Sequence, residues 1–218
     1  MTLSPHRYAP DVLDAVYRVI YERRDMRHFL STPVDPATLQ RLLAAAHAAP
    51  SVGLSQPWRI LRITDPPLRG RIHQLVEQER QTTADALAER KQEFLRLKVQ
   101  GILESAELLV VGVRDGGSAE VFGRRTMPHM DIASTACAIQ NLWLAARAEG
   151  LGMGWVSLFD PQALATLLQF PLDVRPIAIL CLGHVEHFYP APMLLIEHWR
   201  EPRPITELVF ENHWPAAG

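Results

Sequence analysis

The chain has 218 residues, with 24 acidic and 22 basic side chains and a net charge of −2, which argues against a nucleic acid or an anionic membrane as its main partner. Hydrophobic residues make up 48% and charged residues 21%, the balance of a soluble globule, and one domain over 1–218 is long enough to bury a core without disulfide or metal staples. No apolar run reaches the ~18 residues that cross a bilayer, residues 1–14 hold no signal-peptide core, and Cys137 and Cys181 lie in apolar runs and read as buried thiols of a reducing compartment, so no membrane partner and a cytoplasmic location are expected.

In chain order, Val12, Ala15, Val16, Val19 and Ile20 give residues 11–22 a helical spacing. Asp35-Pro36 reads as an N-cap with proline at the first helical position, and the helix it starts carries an apolar stripe at Leu39, Leu42, Leu43 and Ala46 before Pro50 closes it. Residues 58–63 alternate as a strand. The charged, glutamine-rich stretch from about 67 to 101 reads as one or two helices with a weak apolar face, a candidate lid. Residues 108–113 form a buried strand, ended by a turn at 115–117. Residues 128–149 form a helix rich in small residues, expected to be buried on more than one side, in the core or against a second subunit. A short strand at 153–157, a helix opened by Asp160-Pro161 and a buried strand at 177–182 complete the regular part. The tail from Pro190 holds five prolines and two tryptophans, Trp199 and Trp214. Proline blocks regular structure there while the tryptophans need cover, which fits an extended arm on a neighbour or a tail packed on its own domain. The pattern is α+β, and sequence alone leaves the strand order open.

Only two of the 22 basic residues, Lys91 and Lys98, are lysines, so the positions of the arginines matter. Arg23-Arg24-Asp25-Met26-Arg27 is the densest charge cluster, and its arginines can hold a phosphate through forked, charge-assisted hydrogen bonds; a solvated patch is the plain alternative. Residues 50–58 form a polar loop that can offer backbone N–H groups and hydroxyls to a ligand, or can be a connector. The glycines at 150, 152 and 154 precede a strand, so they fit a helix C-cap and close packing better than a nucleotide loop. His184 and His187 have no third partner for a metal nearby, and thiolate zinc ligation has too few cysteines.

Together, Arg23-Arg24-Asp25-Met-Arg27, Pro50-Ser51 running into Gln56-Pro57-Trp58, Gly150 to Trp155, and Pro176 into Leu182-Gly183 resemble the flavin-dependent nitroreductase superfamily over about residues 15–214. Asp25 after the two arginines, Pro-Ser-Val-Gly with Gln-Pro-Trp-Arg, Trp155-Val-Ser157 running to Asp160-Pro161, and Leu208 to Trp214 are similar to the branch that makes 5,6-dimethylbenzimidazole from reduced FMN. The resemblance implies a nitroreductase-like sandwich, a central mixed sheet flanked by helices, with a domain-swapped C-terminal arm over about 188–218. It implies an intertwined homodimer with FMN at the interface. It carries phosphate and ribityl contacts onto Arg23, Arg24, Asp25 and Arg27, flavin contacts onto Ser51 and Gly53, commonly reaching the partner's site, and flavin-edge contacts onto Ser157 and Leu158.

In that branch reduced FMN is cofactor and substrate, molecular oxygen is co-substrate, and a flavin reductase supplies FMNH2, with NAD(P)H as indirect reductant. Asp25 would move a proton, Ser157 would hydrogen-bond the reacting edge, and the stretch 67–101 would seal the site. Two positions depart from the pattern. Gln100 stands where a glutamate is expected before Gly101. Pro202 stands where an arginine is expected, leaving Arg203 or Arg200 for a phosphate contact. The alternatives are an NAD(P)H-dependent nitroreductase or flavin reductase, and a non-catalytic FMN-binding protein.

Overall fold

A computed structural model describes residues 5–115 and 126–214. Its regular elements are α1 (Pro10–Glu22), α2 (Pro36–His47), β1 (Trp58–Arg62), α3 (Pro66–Ala86), α4 (Lys91–Arg96), β2 (Glu107–Arg114), α5 (Met130–Ala148), β3 (Gly152–Val156), α6 (Pro161–Leu167), β4 (Val174–Gly183) and the single turn α7 (Met193–Ile196). Most of the turn expected at 115–117 lies outside the described residues.

Local chemistry starts the helices. Asp35, Asp65 and Asp160 each accept a backbone N–H three residues on, from Thr38, Leu68 and Ala163, and each is followed by proline at the first helical position. At the far end of α5, Gly150 takes φ +77°, and Leu151 N–H closes back on Ala146 O at 2.8 Å. That left-handed residue ends the helix.

The strands form one sheet in the order β1-β2-β4-β3. All three ladders are antiparallel. The parallel component of the expected mixed sheet is, among the described residues, the isolated bridge between Asp25 and Met153. Alternation along the central strands feeds two cores. Leu109, Val111, Ala178, Leu180 and Leu182 pack with α2 and α5. Leu108, Val110, Ile179 and Cys181 face the other way, against Ile72, Val76, Phe159 and Leu164. A third, smaller cluster sits under the 67–101 stretch, where Ala84, Phe94 and Leu97 pack with Leu158 and Trp199.

Helix α5 buries Asp131, Ser134, Thr135, Ala138, Ile139, Leu142, Trp143 and Ala146, a repeat of three and four residues along one face. Within this chain it is therefore covered on one side; Ala133, Cys137 and Gln140 on its other side are exposed, so of the two thiols expected to be buried only Cys181 is, and Cys137 faces outward because it falls off the packed stripe of α5. Helix α1 buries no residue at all, although Val12, Val16, Tyr17 and Ile20 form its apolar face.

Candidate functional site around Asp25

After α1 the chain runs along the edge of β3. Met26 N–H donates to Met153 O at 3.0 Å, and the Met26 side chain is fully buried. This close approach depends on Gly154, because a β-carbon there would collide with Met26 O. Asp25 is thereby held against β3. Its Oδ1 accepts the Trp155 N–H at 3.0 Å, and its Oδ2 pairs with Arg27 Nη2.

Arg27 is 8% exposed, and its Nη2 also donates to Trp155 O at 3.1 Å. Its Nε and Nη1 are buried with no hydrogen-bond partner among the described residues. Leaving two guanidinium nitrogens dry costs free energy unless an acceptor-rich group meets them, so the site fits an anionic or polyhydroxyl ligand. Burial pushes the Asp25 carboxyl pKa up, against the opposing pull of Arg27, the Trp155 N–H and Arg23.

The other arginines differ. Arg23 lies over the Trp143 ring, 4.3 Å from its centroid, and Trp143 Nε1 donates to Arg24 O at 3.2 Å. The Arg24 guanidinium turns toward Tyr189 and Pro190. Sequence reasoning missed Trp143 and Tyr189: one lies in a helix read only for small residues, and the other is more than 160 positions away. Burial pushes the Tyr189 phenol pKa up, with Arg27 and Asp25 as its charged neighbours.

The Nitroreductase family matches residues 20–184 of this chain. The chain belongs to the nitroreductase family. The 5,6-dimethylbenzimidazole synthases of Rhodobacter capsulatus and Rhodospirillum rubrum are each 41% identical to it, over 88% and 89% of this chain and 93% and 92% of theirs. The crystal structure of oxidized iodotyrosine deiodinase bound to FMN and 3-iodo-L-tyrosine shares the fold, with a TM-score of 0.72, 24% identity, and coverage of 91% of this chain and all of that one.

On this nitroreductase scaffold the remaining candidates fall in three places. Ser157 is exposed just past the end of β3, and Leu158 beside it is half-buried in the cluster under α3 and α4. Ser51 and Gly53 sit elsewhere. Ser51 Oγ accepts the Gln56 N–H at 3.0 Å, Gly53 has φ +54°, and Val52 N–H donates to Ser134 Oγ at 3.1 Å. Ser134 precedes Trp143 on α5 by nine residues, roughly 13 Å of helix axis, so within one chain this loop is at the opposite end of α5 from Asp25. Arg200 and Arg203 are exposed on the arm, like every residue from 200 to 214.

Gln100 accepts the Ile102 N–H at 2.8 Å and meets His73 at 3.0 Å, which fixes the end of the 67–101 stretch. The described residues hold no group of three or more histidine, cysteine, aspartate and glutamate side chains placed to hold a metal. A groove of about 900 Å3 between α3 and α6 and a cavity of about 520 Å3 beside β1 contain none of these residues.

Proposed function

We propose that this protein is a 5,6-dimethylbenzimidazole synthase: it binds reduced FMN and, with molecular oxygen, converts it to 5,6-dimethylbenzimidazole, the lower ligand of cobalamin, and erythrose 4-phosphate. The observation that carries this reading is the Asp25–Arg27 pair held against the edge of β3, with two buried guanidinium nitrogens that have no partner among the described residues. The 41% identity to two synthases of that name supports it.

Bound FMN supplies the carbon skeleton of the product and the reactivity toward oxygen. Arg27 and Arg23 give the ligand fixed positive charge and hydrogen-bond donors. Burial raises the Asp25 carboxyl pKa above that of an ordinary carboxyl, which favours a role in holding and passing on a proton. The Ser157 hydroxyl can donate to a developing negative charge past the end of β3. Helices α3 and α4, packed on Leu158, exclude water as a lid.

The working unit of the proposal is a homodimer. The bare apolar face of α1, the exposed arm and the distance of Ser51 and Gly53 from Asp25 all support a second copy that completes the cleft. A separate flavin reductase, drawing on NAD(P)H, supplies FMNH2. The exposed thiol of Cys137 suits a cytoplasmic setting.

The test is to mix the protein with FMNH2 in air and analyse by mass spectrometry. Dimethylbenzimidazole should appear. Recovery of oxidised FMN alone refutes the synthase, and rapid reduction of bound flavin by NAD(P)H alone makes the protein a reductase.

A further inference from the structure

The cluster at 23–27 looks like one phosphate-binding group, yet its arginines have different partners. In an extended segment successive side chains face opposite ways. Asp25 and Arg27 pair with each other and with Trp155. Arg24 turns away from them. Its Nη1 donates to Tyr21 O at 2.7 Å and Arg23 O at 2.8 Å. Its Nε donates to Tyr189 O at 3.1 Å and its Nη2 to Pro190 O at 3.2 Å.

A guanidinium has five N–H groups, and Arg24 uses four of them on carbonyls of its own chain. Two of those carbonyls close α1, where helix-end acceptors need partners. The other two belong to the root of the C-terminal arm. A bidentate phosphate fork needs two parallel free donors, and Arg24 has one left, whereas Arg27 has two nitrogens without partners.

We propose that Arg24 is a positioning residue: it clamps the arm root at Tyr189 and Pro190 to the end of α1 and makes no contact with the flavin phosphate. This rests on the FMN-binding reading above. The clamp has a counterpart ten residues along. Arg90 stacks on Trp199 at 3.6 Å from the ring centroid and donates to Trp199 O at 3.1 Å. The strap 189–199 is thus pinned at one end beside Asp25 and at the other to the lid, and Arg24 sets where the arm leaves the body.

The decisive variant is Arg24→Lys, which keeps the charge and loses the fork. FMN and riboflavin affinities are measured by titration, and hydrogen exchange is followed by mass spectrometry in the flavin-free protein. Exchange should rise roughly tenfold within 189–199, with no comparable change in the sheet, while the ratio of FMN to riboflavin affinity stays within about twofold of the parent's, well inside the factor of ten that one charged hydrogen bond is worth.

A ratio that falls tenfold with unchanged exchange makes Arg24 a phosphate ligand and overturns the proposal. If the parent binds neither flavin, the FMN reading fails, and the exchange result alone decides the clamp. If the variant does not fold, the parent is compared with and without FMN. A phosphate ligand must release the arm carbonyls, so faster exchange at 189–199 on binding overturns the clamp, and unchanged or slower exchange supports it.

Discussion

Asp25 is held in a conflict between burial and pairing, and the balance has a sign that can be measured. Burial raises its carboxyl pKa above the unfolded value despite Arg27, Trp155 and Arg23. A carboxyl whose folded pKa is raised is easiest to fold when protonated; the folded state loses stability as pH climbs through that folded pKa. Asp25→Asn, which cannot ionise, should therefore melt at or above the parent temperature at neutral pH in the flavin-free protein, and the gap should shrink toward about pH 4. A lower melting temperature at neutral pH would mean that the Arg27 pairing outweighs burial. The same variant should bind FMN and yield no dimethylbenzimidazole; unchanged turnover removes Asp25 from the mechanism. Gly154→Ala is a packing probe of the same spot. Its β-carbon meets the Met26 backbone, so urea unfolding should show a loss of about 2 kcal/mol with weaker FMN binding, and a neutral result would show that the 25–27 segment yields freely. At this scale the sequence revealed charge but not direction. The cluster at 23–27 was visible as a set of arginines. That Arg24 serves a carbonyl 165 positions away was not, because consecutive side chains of an extended segment diverge and the partner is set by tertiary packing.

At the scale of elements, legibility followed how local the cause is. Two of the helices that open with aspartate and proline, at Asp35-Pro36 and Asp160-Pro161, were readable because cap and first turn lie within four residues; Asp65-Pro66 carries the same signal and was passed over inside the charged stretch. The strands at 58–62, 107–114 and 174–183 were visible as apolar or alternating runs. Their antiparallel order was not, since pairing depends on contacts across most of the chain. The single turn α7 inside the proline-rich arm also escaped, because a four-residue turn is too short for periodicity to register. The proposed lid shows what such placement adds. Its charged surface was plain in sequence, but its anchor, Trp199 between Arg90 and Phe94, joins residues about a hundred positions apart. An Arg–Trp stack of this kind is worth about 1 kcal/mol. Arg90→Ala should therefore leave the fold intact and loosen the lid: oxidation of FMNH2 without product should increase several-fold relative to dimethylbenzimidazole formed. An unchanged product fraction, read by mass spectrometry of both flavin and benzimidazole, would show that α3 and α4 are held by their buried cluster alone.

For the whole molecule, one chain leaves too much apolar surface bare and too little of the site assembled. Ile205, Leu208, Val209, Phe210 and Trp214 are between 42% and 82% exposed, and the rings of Phe210 and Trp214 meet at a tilt, 4.7 Å between centroids. The face of α1 and the uncovered side of α5 add to that area. Apolar burial contributes about 25 cal/mol per Å2, so covering these groups favours association, which supports the proposed dimer. The proposed site supports the same reading, because Ser51 and Gly53 lie at the far end of α5 from Asp25, as a cleft completed by a second copy would require. Removing residues 200–218 should thus do two things together. Sedimentation equilibrium should show a shift from dimer toward monomer, and FMN affinity should fall by tenfold or more, the equivalent of about 1.4 kcal/mol, even though Asp25, Arg27 and Ser157 are retained. The coupling is the point of the test. A truncated protein that stays dimeric with full FMN affinity would mean that the arm is dispensable to both, and one that becomes monomeric yet binds FMN as before would mean that each chain carries a complete flavin site.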